Sequence, residues 1–115
     1  MPISFRDKNV IKHIMDYCEQ ITETNKEFKD SYDTFKNSNT YRNAISLCIL
    51  QIGELVTVLS DDFKAANTNV PWRDIKAMRN IVAHKYGTVN IEMLWNTAHE
   101  DIIELAQFCK NVLQK

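Results

Sequence analysis

The stretch ISLCILQIGELVTVL, residues 45–59, decides the fold. Ile45, Cys48, Ile52, Leu55 and Leu59 recur at three- and four-residue steps, the period of a helix with one apolar seam. Leu47, Ile49, Leu50, Val56 and Val58 leave the same helix apolar on most of its remaining surface. A helix of that kind is central in a bundle or faces a second subunit. Gly53 costs about 1 kcal/mol in mid-helix. With Ile49 and Val56 it makes a flat strip that another helix can approach closely. The helix is expected from about 39 to 60.

Working towards the N-terminus, residues 7 to about 27 repeat the pattern through Ile11, Ile14, Cys18 and Ile21. The polar stretch KDSYDTFKNSNT, residues 29–40, separates the two, and its Ser and Asn residues are good helix starters. Towards the C-terminus, DDFKAAN (61–67) reads as a short turn of helix and TNV as a loop. Pro71 is placed at the first position of the next helix, where a missing N–H does no harm. That helix carries WRDIKAMRNIVAHKY and stops at Gly87, a good C′ residue. Thr88 and Asn90 start the last helix, whose seam is Ile91, Trp95, Ala98, Ile102, Leu105, Cys109 and Val112.

No strand-like alternation, repeat or linker is visible. With two glycines and two prolines in 115 residues, an all-β chain of many tight turns is disfavoured. The expectation is a single domain, residues 1–115: an all-α, up-and-down bundle of four main helices plus a short helix.

Hydrophobic residues make up 44% and charged residues 25%, and the formal net charge is −1. There is no global basic field, so any contact with nucleic acid must come from a local patch. Cys18, Cys48 and Cys109 all lie in apolar periodic segments and read as buried reduced thiols. No Cys/His spacing suggests zinc, and no cofactor is implied. The N-terminus lacks the apolar core of a signal peptide, and no apolar run is long enough to span a membrane. A cytoplasmic location without membrane contact is expected.

The helix before Gly87 has two faces. At about 100° per residue, Ile75, Met78 and Val82 cluster on one side, with Tyr86 at the core's edge. Arg73, Asn80 and His84 fall on the opposite side, with Lys76 nearby and Ala77 and Ile81 flanking. Arg79 lies at the boundary. Only Asp74 is acidic between Pro71 and Gly87. A solvated face is the ordinary explanation, but such faces mix in acids. A cationic patch on a slightly acidic chain is a candidate phosphate site, with Arg73 and Lys76 as phosphate-binding residues. Histidine exchanges protons near neutral pH, so His84 is a candidate acid or base. On a straight helix Arg79 and His84 project about 140° apart. They converge either if the helix loosens before Gly87 or if a partner chain brings a second copy.

Arg79, His84 and Tyr86 fit R-x4-H-x-Y, and the chain here resembles the HepT-like ribonuclease toxins, a branch of the HEPN domains. YRNAISLCILQIGELV (41–56), VPWRDIKAMRNIVAHKYG (70–87) and VNIEMLW (89–95) resemble that family in the same order. The resemblance implies a dimeric helical bundle with the motif at the cleft between subunits. It implies a metal-independent endoribonuclease with Arg79 and His84 as the catalytic pair and Asn80 as a supporting polar residue. It also implies a nucleotidyltransferase antitoxin, MntA-like, that silences the toxin by adding AMP to Tyr86.

RNA carries its own nucleophile, the 2′-OH. An enzyme without metal need only align it, move two protons and stabilise charge. His84 would be the base or acid, and Arg79 would hold the phosphate in a fork. A competing expectation is a non-enzymatic bundle that docks to a nucleotidyltransferase and presents Tyr86 or a substrate to it. A purely structural bundle would leave the cationic arc unexplained. His13 and His99 lie off the seams and read as surface residues, and Trp72 and Trp95 read as packing.

Overall fold

The computed structural model of the chain describes residues 2–115. Helix α1 (Phe5–Glu27) begins at Ser4, whose hydroxyl accepts the Asp7 N–H at 3.0 Å. It buries Val10, Ile11, Ile14, Cys18 and Ile21, the stripe expected from their spacing. The chain reverses through Lys29 and Asp30, both with positive φ. Ser31 then caps α2 (Tyr32–Asn37), a short helix inside the stretch read as a polar connection. Six residues are too few to hold a helix unaided. Phe35 pins this one by full burial, a tertiary contact that local sequence does not reveal.

Ser38 caps α3 (Asn39–Val58), the helix of the opening stretch. Ser60 caps the short α4 (Asp61–Ala66). Ser60 also ties this corner to α1: its N–H donates to Asp7 Oδ1 at 2.9 Å and its hydroxyl to Asp7 Oδ2 at 2.6 Å. Burial pushes the Asp7 carboxyl up, but the hydrogen bonds from Ser60 and Ser4 outweigh it and hold the group below its ordinary value. Helix α5 (Trp72–Lys85) follows, with Pro71 at the capping position and not inside the helix.

The end of α5 differs from the expectation. Gly87 is not a left-handed C′ residue: no glycine has positive φ. The chain tightens instead into a 3₁₀ turn, Tyr86–Thr88, and Asn90 caps α6 (Ile91–Asn96). A π-helical turn, Thr97–Asp101, joins α6 to α7 (Ile102–Leu113), so the long seam expected of one last helix contains a widened turn. Asn25 from α1 serves that turn, donating to the Ala98 carbonyl at 3.5 Å while its Oδ1 accepts the Tyr41 hydroxyl at 2.5 Å.

Helix α3 is central, with α1 and α5 as its main neighbours, and α7 packs on α1. Among the described residues there is no strand. Among the described residues four long rods make the bundle, with α6 and α7 forming one of them, and two short helices accompany it where one was expected. Trp72 and Trp95 both pack in aromatic clusters, against Phe63 and Phe108 and against Phe35 and Tyr41 respectively. All three cysteines are free and buried, and burial pushes their thiols up, that of Cys109 to about 12. Among the described residues no helix is long and apolar enough to cross a membrane.

Helix α5 leans mainly on α3, and beyond Trp72, which meets Phe63 and Phe108, its apolar stripe is only half-covered. Val82 is its single buried residue. Ile75 and Met78, expected in the core, are half-buried walls of an apolar groove of about 500 Å³ between α5 and α7. Ile49 and Ile52 lie at its floor, and Leu105 and Phe108 form the opposite wall.

Candidate active site

The polar arc of α5 faces away from the core. Arg73, Lys76, Asn80 and His84 are all exposed. Among the described residues neither Arg73 nor Lys76 is in an ion pair. His84 is in the last turn of α5, and no hydrogen bond joins its ring to Arg79 or Asn80.

Arg79 is placed by packing. A Cβ built on Gly53 would overlap the Arg79 Cβ and stand 2.5 Å from its Cγ. The flat strip on α3 is therefore filled by α5, and the residue seated on it is Arg79. Only glycine at 53 leaves room for that stem. The guanidinium then bends over the edge of α3, where its Nε–H donates to Glu54 Oε1 at 2.6 Å and its Nη2 pairs with the same oxygen. Nη1 donates to Asn80 Oδ1 at 2.8 Å. A guanidinium has five N–H donors. Three are engaged here, and two remain on a group held in orientation by partners on both α3 and α5.

Tyr86 is not a core-edge residue. It is 42% exposed, and its hydroxyl donates to Asn43 Oδ1 near the start of α3. The 3₁₀ turn swings the ring out of the inward sector it would occupy on a continued helix. Helix α5 is thus fastened to α3 at two places, Arg79 on Glu54 and Tyr86 on Asn43. Both fastenings use residues of the R-x4-H-x-Y pattern.

Neither Glu54 nor Asn43 stands out by spacing. Glu54 had a faint signal: it is the one charged residue in the largely apolar run 45–59 and follows the glycine of the strip. Helix α5 stays α-helical through Lys85, so it does not loosen between Arg79 and His84. On such a helix the two residues project about 140° apart. His99, expected at the surface, is half-buried, tilted over Trp95 at a ring distance of 3.7 Å, and its Nε2 lies 3.3 Å from Asp30 Oδ1. It has no part in this site.

The same arrangement of sequence occurs elsewhere. The model of the HepT-like ribonuclease family matches residues 11–112, from α1 through the end of α7. The chain belongs to the HepT-like ribonuclease family. A protein provisionally named an RNase from Caldanaerobacter subterraneus subsp. tengcongensis is 32% identical over 105 residues, 91% of this chain and 92% of its own. One from Methanocaldococcus jannaschii, also provisionally named an RNase, is 31% identical over 101 residues, 87% of this chain and 91% of its own. A third, from Thermococcus cleftensis and provisionally named ribonuclease HepT, is 30% identical over 98 residues, 85% of this chain and 87% of its own. No solved structure matches the chain significantly. As a member of the HepT-like family, the chain is a ribonuclease by descent, with Arg79, Asn80, His84 and Tyr86 inside the matched span.

Proposed function

We propose that the chain, acting as one domain over residues 1–115, is an endoribonuclease toxin that cuts RNA without metal and is silenced by modification of Tyr86. The observation that carries this reading is the Arg79 guanidinium. It is held side-on by Glu54, keeps two donors free, and lies on the helix that exposes Arg73, Lys76, Asn80 and His84.

In the proposed reaction His84 takes the proton of a ribose 2′-OH. The O2′ attacks the adjacent phosphorus, and the P–O5′ bond breaks. The leaving O5′ is protonated from a histidine in its acid form. The charge that builds on the phosphoryl oxygens is met by the free donors of Arg79, with Asn80 fixing one Nη. Arg73 and Lys76 hold flanking phosphates. The products are a 2′,3′-cyclic phosphate and a 5′-OH.

One straight α5 does not bring Arg79 and His84 to one phosphate. We infer a homodimer in which a second copy brings its own α5 to the cleft. The uncovered groove beside α5 and the exposed apolar side chains of Leu47, Met93 and Ile103 support such an interface.

Regulation follows from Tyr86. An MntA-like nucleotidyltransferase antitoxin would transfer AMP from ATP to the exposed hydroxyl, releasing pyrophosphate. That step adds a phosphodiester two helical turns, roughly 10 Å, from Arg79. The test is cleavage of a labelled RNA oligonucleotide beside its all-deoxy counterpart, with the ends of the products analysed. Cyclic phosphate ends from RNA alone agree with the mechanism. Cleavage of the deoxy strand, or 5′-phosphate ends, would refute it.

A further inference from the structure

Tyr86 stands at the rim of a second hollow, of about 410 Å³. Asn39, Arg42 and Asn43 of α3 supply one wall, and Tyr86 and Gly87 supply the other. Val89, Ile91 and Leu94 give it an apolar floor. No lining residue is acidic. The volume falls in the range of small-molecule sites and suits a nucleotide.

Arg42 decides what the hollow would hold. Its Nη1 donates to the carbonyls of Phe35 and Lys36, both at 2.7 Å, at the end of α2. Its Nη2 donates to Asn39 Oδ1 at 2.5 Å. These partners are neutral. Among the described residues no carboxylate pairs with Arg42, whereas Arg79 has Glu54. Three of the five donors of Arg42 are used to lock the group in place. The Nε–H and one Nη2–H remain, and no described residue accepts them. A fixed fork with its charge uncompensated, beside two amides and an apolar floor, matches a phosphate joined to a ribose and base.

The geometry points to this hollow as a nucleotide subsite in which Arg42 takes the phosphate, Asn39 and Asn43 meet polar edges, and the floor receives the base or ribose. The nucleotide can come from two sources: a residue of the RNA strand, or an AMP carried on Tyr86 itself. The second part of the test rests on the ribonuclease reading, and the first does not.

The first part titrates the purified chain with AMP and with adenosine while following the backbone amide signals by NMR. AMP should shift Arg42, Asn43, Tyr86 and Gly87, and adenosine should bind about tenfold or more weakly, since it lacks the phosphate. Arg42→Gln should lose AMP binding by a similar factor. Because Arg42 also braces α2, a second variant leaves it untouched. A Cβ at Gly87 meets nothing within 4 Å, so Gly87→Phe should fold, fill the hollow and exclude AMP. His84→Ala should bind AMP as wild type does. Absence of shifts at these residues, equal binding of adenosine, or undiminished binding in both Arg42→Gln and Gly87→Phe would overturn the proposal.

The second part separates the sources. If AMP competes with RNA cleavage and Arg42→Gln raises the KM for RNA, the subsite takes a nucleotide of the strand. If AMP competes but Arg42→Gln leaves that KM unchanged, the subsite takes the nucleotide carried on Tyr86, which blocks the strand from there. A chain that binds AMP as described yet cuts no RNA would refute the ribonuclease reading and leave the subsite standing.

Discussion

Arg79 of α5 and Glu54 of α3 meet across the helix seam, with Nε 2.6 Å from Oε1 and Nη2 on the same oxygen. The carboxylate grips one edge of the fork and leaves donors on the other parts of the group. A lone arginine on an exposed helix would sample many rotamers, and each would have to be excluded when a phosphate arrives. Glu54 removes that freedom in advance. It is a positioning residue in the proposed mechanism, acting through Arg79.

Glu54→Gln keeps an acceptor for Nε and loses the charge. We expect kcat for RNA to fall by about tenfold, and by about a hundredfold in Glu54→Ala, with KM less affected. Steady-state cleavage of an oligonucleotide gives both constants. A kcat unchanged in Glu54→Ala would remove Glu54 from the account.

Gly53→Ala tests the seat of Arg79. Alanine improves helix propensity by about 1 kcal/mol. The new methyl would overlap the Arg79 stem, and relieving such a clash in a packed seam costs about 1–3 kcal/mol. The variant should be no more stable than wild type in urea, and its cleavage should fall because Arg79 is displaced. A variant clearly more stable, with full activity, would show that the close approach at Gly53 does not matter.

The long elements were legible in the sequence because each carries its own apolar period and an opening signal, a Ser or Asn cap for most and Pro71 for α5. Helix α3 was placed within two residues at its end, and Gly53 was correctly read as an approach point. Helix α2 was not legible, since it depends on where Phe35 is buried. The π turn and the 3₁₀ end of α5 are choices made by packing between distant helices. The face of α5 that carries Arg73, Lys76, Asn80 and His84 could be read from a wheel. Glu54 and Asn43 could not, because their partners lie 25 and 43 residues away and no local period relates them. Tyr86 was misplaced because the wheel was continued one residue past the true end of α5.

Tyr86 is exposed, and its hydroxyl rests on a side-chain amide at the surface. A nucleotidyltransferase can reach that oxygen without opening the bundle. With such an antitoxin and ATP, intact-mass spectrometry should show AMP added to the wild-type chain, with cleavage falling in step. Tyr86→Phe should keep the fold and take no AMP. Equal AMP addition to Tyr86→Phe would place the modification elsewhere.

A cleft shared between two copies predicts complementation. Arg79→Ala and His84→Ala should each be inactive. After unfolding together and refolding, half the dimers are mixed, and each mixed dimer has one site with both residues. If Arg79 and His84 of a site come from different chains, activity should return to about a quarter of wild type. No recovery, or light scattering that finds only monomer at micromolar concentration, would contradict the shared cleft.

The most direct measurement is RNA cleavage by the purified chain beside His84→Ala, with and without EDTA. His84 is exposed and packs against nothing in the core, so its loss should leave the circular dichroism spectrum and unfolding midpoint unchanged. The account predicts that wild type cuts RNA at the same rate in EDTA and that His84→Ala does not cut it. Undiminished cleavage by a folded His84→Ala chain would contradict the central claim that His84 moves the proton.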